Sequence, residues 1–233
     1  MIDPLQVTNF DRDDFDLQSF FLFCFAVAGK NARVQADKLN SMIDGFQESW
    51  VENPIYHEEG HPIPDGPLTH MMDLNTEPFY IGRTPVENNL RSVKLGKYTT
   101  WINMINWFNA NLRIEHVSIW LKCAGLESLL LIPGVGDKTA RFFLLHSRED
   151  EQCIPLDTHV LKFISSKGVP CVPTVTPSKS KYGMWEKIAR EMYTCEMRVK
   201  GYRNMAETDL AIWKSFSSFS KNERQHDSNQ IEV

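Results

Sequence analysis

The stretch "LLLIPGVGDKTARFFLLH" at residues 129–146 sets a proline and two glycines between apolar runs, with Lys138 two residues behind the second glycine. Asp157 stands nineteen residues further on, in "IPLDTHVLKF". A lysine amine and a carboxylate are the pair that covalent catalysis needs: the amine attacks carbon, and the carboxylate handles proton and charge. Lys138 would open a helix, where the dipole slightly disfavours a cation, by about 0.3–1 kcal/mol. An amine must shed its proton before it attacks, and that dipole effect is too small to bring this about. Desolvation is large enough, so a buried pocket around Lys138 is expected. Asp157 follows Pro155 at the start of an apolar-periodic run, which is also an ordinary N-cap position.

The hinge adds a ligand class. Pro133 cannot continue the preceding helix, and it biases Ile132 away from helical angles. Gly134 and Gly136 can take positive φ and let another backbone approach closely. The amides of residues 134–137 would then point outward at a helix start, which favours an anion. A helix from Lys138 to His146 rises roughly 13 Å. The stretch from Ser147 to Leu156 spans about 33 Å when extended, enough to bring Asp157 back to the end that carries Lys138. An amine nucleophile, a carboxylate and a phosphate-gripping turn together suggest chemistry at a deoxyribose.

Helical periods dominate the rest of the chain, and the fold class expected is all-α. Residues 17–28 are apolar nearly all round and predict a helix buried on most sides. Further helices are predicted near 34–46, 86–93, 99–112, 117–124, 128–131, 138–146, 157–168, 183–195 and 204–216. Residues 52–85, with six prolines and three glycines, predict a long irregular segment. From residue 218 the chain is polar and predicts a frayed tail.

At 233 residues, 42% apolar and 24% charged, the composition is that of an ordinary globular protein. The apolar run at 20–29 is too short to span a bilayer. Acidic residues precede it where a signal peptide would be basic, so an intracellular protein is expected. Five cysteines without a C-x-x-C pair predict reduced, mostly buried thiols rather than a zinc site. The net charge of −5 argues against nonspecific nucleic-acid binding. The charges are nevertheless segregated. Residues 1–60 carry eleven acids against four bases, and residues 160–203 carry nine bases against three acids. A phosphate-facing surface on an acidic protein is therefore permitted.

Over 129–163 the sequence resembles the helix-hairpin-helix–Gly/Pro–Asp superfamily of DNA glycosylases, which includes endonuclease III and the 8-oxoguanine glycosylases. The residues that carry the resemblance are "LLLIPGVGDKTARFFLLHS" and "IPLDTHVLKF". The resemblance implies that Lys138 attacks the sugar C1′ and forms a Schiff base, assisted by Asp157. It implies that Gly134, Val135 and Gly136, with Thr139 behind them, bind a backbone phosphate. "LRSVKLGKYTTWINMI" is similar to the family's Gly-x-Tyr segment. "FFLFCFAVAGKNARVQADKL" is similar to the helix and turn whose polar side chain fills the gap left by a flipped base. Lys30, Asn31 and Arg33 are candidates there, Asn31 first.

The family also implies two helical domains with a DNA and base cleft between them. That division groups residues 30–145 as a central domain ending in the helix-hairpin-helix, and 1–29 with 146–233 as a discontinuous second domain. The implied activity is base-excision-repair glycosylase with AP lyase, acting as a monomer on double-stranded DNA that carries a modified base. No cofactor is implied, because only Cys195 lies beyond Cys171 and endonuclease III's four-cysteine iron–sulfur arrangement is impossible. Two other readings keep the hinge: a non-catalytic helix-hairpin-helix DNA-binding module, and a same-fold enzyme acting on a deliberately modified base.

Phe79 and Tyr80, in a loop flanked by glycine and proline, are candidates to stack on an extruded base. Trp185 and Trp213 fall at helical spacing and are expected in the core. His159 is expected to pack on or cap its own helix. His57, His61 and His70 have the spacing H-x3-H-x8-H, which matches no tight metal site, so no metal is expected.

Overall fold

The computed structural model describes residues 1–52, 66–75 and 84–217. Phe79, Tyr80, His57, His61 and the tail from residue 218 lie outside the described residues. Within them the chain is all helical: α1 Asp14–Ala26, α2 Ala32–Glu52, α3 Pro67–Leu74, α4 Pro85–Ser92, α5 Tyr98–Asn111, α6 Val117–Cys123, α7 Leu126–Leu129, α8 Asp137–Ser147, α9 Thr158–Ser166, α10 Lys179–Lys200 and α11 Met205–Phe216. None of the described helices is long and apolar enough to cross a membrane.

α1 is the axis of the larger buried cluster. Asp13 caps it by accepting the Asp16 N–H at 2.8 Å, and Asp14 and Asp16 suit the positive end of its dipole. Every residue from Leu17 to Ala26 is buried, which requires neighbours on all sides. α2, α3, α6 and α8 supply them. Phe20 and Phe21 meet Phe143 of α8 at ring centroids of 5.9 and 5.5 Å. α1 and α8 thus pack within one buried cluster. A smaller cluster holds Ile154, Leu156 and the apolar faces of α9 and α10, with Ile212 of α11.

α3 corrects the irregular segment expected over 52–85. Pro67 occupies the first helical position, where its missing N–H costs nothing. Leu68, Met71 and Met72, at helical spacing, are fully buried. The start of α3 is capped from another helix: Gln18 of α1 accepts the Leu68 and Thr69 N–H groups, each at 3.0 Å. A cap drawn from 50 residues away leaves no local trace in the sequence. α10 likewise exceeds the expected 183–195 at both ends.

The thiols also differ from expectation. Cys123, Cys171 and Cys195 are exposed, and only Cys24 is fully buried. Burial pushes the Cys24 thiol far above its ordinary range. Burial and a hydrogen bond to Glu151 push Cys153 up to about 12. His70 is buried in α3, and burial lowers its ring to about 4. Among the described residues no group of three or more His, Cys, Asp or Glu is placed to hold a metal ion.

Candidate active site

The turn between α7 and α8 closes with the Val135 N–H on the Ile132 carbonyl at 3.0 Å. Gly134 takes up that freedom and is left-handed at φ +86. Gly136 is not: it is extended at φ −102 and ψ 175, at the N-cap of α8, with no side-chain cap. The first-turn amides of α8 have no earlier helical carbonyls to bond. Val135 and Thr139 are each only 7% exposed, so their side chains face inward. Thr139 lines the cleft described below rather than an outer phosphate-facing surface.

A Cβ on Gly134 would collide with the Thr100 methyl and the Phe25 ring, whereas one on Gly136 would meet open space. Gly134→Ala combines a left-handed alanine, about 1–2 kcal/mol, with overpacking of about 1–3 kcal/mol. Denaturant unfolding is expected to show a loss of about 2–5 kcal/mol for Gly134→Ala, and about 1 kcal/mol or less for Gly136→Ala. Equal losses would remove the steric role of the first glycine.

Lys138 leaves the first turn of α8 toward Asp157, with Nζ 3.7 Å from Oδ2. The two carboxylate oxygens of Asp157 divide their work. Oδ1 caps α9, accepting the His159 and Val160 N–H groups at 2.8 and 2.9 Å. Oδ2 is left toward the amine. Asp157 is thus both a helix cap and the partner of Lys138. The Lys138 side chain is 34% exposed, so it is half-buried instead of enclosed as expected.

The segment that returns Asp157 is held by α10. Glu186 accepts the Ile154 N–H at 2.9 Å, and the Tyr182 hydroxyl accepts the Leu156 N–H at 2.7 Å. That hydroxyl donates in turn to the Ile154 carbonyl at 3.2 Å. Burial pushes the Tyr182 phenol well above its ordinary range, which keeps the proton that this bond needs. Arg141 of α8 donates to Glu186 at 3.0 Å and to Asp137 at 2.7 Å, and lies over the Tyr182 ring at 4.2 Å. One buried network therefore joins the helix of Lys138 to the segment of Asp157.

Lys138 and Asp157 open on a cleft of about 530 Å³, within the size range of small-molecule sites. Its walls come from the end of α1, the turn at 28–31, α8, the start of α9, and α11. Phe142, His159 and Trp213 give it aromatic surface. Trp213, expected in the core, is half-buried on this wall and meets His159 edge-on at 6.2 Å. His159 Nδ1 donates to the Phe216 carbonyl at 3.1 Å, so the ring bridges to α11 instead of capping its own helix. At the back, His146 joins Thr8 through Nδ1 at 2.8 Å and Asp209 through Nε2 at 3.1 Å. Tyr193 donates to the other Asp209 oxygen at 2.7 Å. The sequence reading missed this polar chain, because its members lie on four separated segments.

Lys30 and Asn31 line the cleft rim. Asn31 is exposed, and its Oδ1 accepts the Val34 N–H at 3.2 Å, so it caps α2. Lys30 donates to the Leu95 carbonyl. No family model, curated protein or solved structure matches this chain. What the cleft can do follows from its own groups: the Lys138 amine with the Asp157 carboxylate beside it, aromatic walls, and a helix start next to them.

Proposed function

We propose that the protein is a DNA glycosylase with AP lyase activity, acting on a modified base extruded from duplex DNA. The observation that carries the proposal is the Lys138–Asp157 pair, 3.7 Å apart at the rim of a cleft beside the start of α8. α7, the turn at 132–136 and α8 are read as the helix-hairpin-helix, and the two buried clusters as two helical domains meeting at the cleft. The turn would hold a phosphate by its amides, which needs no basic patch and suits a protein of net charge −5.

Extrusion costs a few kcal/mol, least for a damaged or mispaired base, and the aromatic wall of Phe142 and Trp213 would receive the base by stacking. The Lys138 amine passes its proton to Asp157 Oδ2 and attacks C1′. The C1′–N bond breaks as the new bond forms, and the base departs with a proton. Opening of the sugar ring gives the imine between Nζ and C1′. Loss of a C2′ proton then expels the 3′ phosphate by β-elimination, and water releases the enzyme. Dehydration of the half-exposed lysine would be completed by the substrate as it fills the cleft.

The test is borohydride trapping on duplexes that each carry one modified base or an abasic site. A covalent protein–DNA adduct with at least one of them is expected. Binding of duplex without any adduct would identify a non-catalytic DNA-binding module instead.

A further inference from the structure

The turn that ends α1 faces a second turn, at 93–97, and lysines lock the two together. Lys30 donates to the Leu95 carbonyl, Lys97 to the Ala28 carbonyl at 2.9 Å, and Lys38 to the Lys94 carbonyl at 2.8 Å. Lys94 and Lys97 are both left-handed, at φ +56 and +52, a conformation lysine rarely adopts. Among the described residues none of these four ammonium groups has a carboxylate within ion-pair distance. Each has three donors, and at most one is taken by a carbonyl. They also repel one another: burial first, then Lys97 and Lys38, hold Lys30 below the ordinary lysine range. A cluster of unpaired cations therefore joins the acidic first 60 residues, through Lys30 and Lys38, to the turn that carries Lys94 and Lys97.

Its position gives it a partner. Lys30 lines the rim of the cleft. Lys97 occupies the N-cap position of α5, one turn before Thr100, and Thr100 packs against Gly134 of the hinge. Lys30 and Lys138 thus line one cleft, and the first turn of α5 that follows Lys97 reaches the hinge through Thr100. We infer that the lysine-locked turns 27–31 and 93–97 are a second DNA-backbone contact, holding phosphates next to the one at the hinge. Lysine ammoniums act as point charges and position a strand without reading its sequence. This contact rests on the glycosylase reading for its substrate.

The test measures duplex affinity by fluorescence anisotropy across a KCl series, for the wild type and for Lys94→Gln/Lys97→Gln. Each phosphate contact contributes about 0.9 to the slope of log K against log salt, so the double variant should lower the slope by roughly 2. Its half-maximal borohydride trapping should move to higher protein concentration. Lys94→Arg/Lys97→Arg should keep the wild-type slope, which separates charge from folding. Lys200→Gln, at the far end of α10, should leave the slope alone. A wild-type slope in the double Gln variant, or an equal fall in Lys200→Gln, overturns the inference while leaving wild-type trapping intact. A wild type that neither traps nor binds duplex overturns the glycosylase reading as well.

Discussion

Lys138→Ala is expected to abolish borohydride trapping and to lower base release at least roughly 10³-fold, the scale for removing a nucleophile that works as a unit with its partner. Stability should change little. The side chain is 34% exposed, its ion pair with Asp157 is long at 3.7 Å, and it stands where the helix dipole disfavours a cation. Lys138→Arg is the sharper variant, since it keeps positive charge beside Asp157 but cannot lose a proton to become a nucleophile. If the lysine only held a phosphate, arginine would preserve activity. If it forms the imine, arginine should be as inactive as alanine. Single-turnover base release and gel-resolved adducts read both outcomes.

Asp157→Asn is expected to lower single-turnover base release by about 10²–10⁴-fold, the range for a positioned proton-transfer group. The same substitution should leave folding nearly intact, because asparagine caps a helix about as well as aspartate. Its side-chain oxygen can still accept from His159 and Val160, the contacts Oδ1 makes now. Asp157→Ala should lose the activity and also about 1 kcal/mol of stability, the cost of a missing cap. The pair of variants therefore separates the two oxygens. A fully active Asp157→Asn protein of unchanged stability would reduce Asp157 to a cap alone.

The hinge and its two partners were legible because they depend on residue type and chain length. Pro133 and Gly134 mark a turn, and the segment after His146 is long enough to bring Asp157 back. The arrangement that holds them was not legible. Glu186 and Tyr182 bond the Asp157 segment from 32 and 26 residues away, and Gln18 caps α3 across 50 residues. No local period reveals such contacts. The conformation of the second glycine was not legible either. Glycine permits positive φ without requiring it, and at Gly136 the extended N-cap needs only an absent side chain. Trp213 shows the same limit, since helical spacing places it on the inward face of α11 but does not say whether that face meets core or cleft.

Peptide mapping of the borohydride-reduced adduct by mass spectrometry tests the catalytic assignment at a single atom. Two lysines line the cleft and could each form the proposed imine, Lys138 beside Asp157 and Lys30 in the turn after α1. The residual sugar mass is expected on the peptide that contains Lys138, and nowhere else. Its appearance on Lys30, or on the N-terminal amine, would show that Lys138 is not the nucleophile and that its pairing with Asp157 is structural.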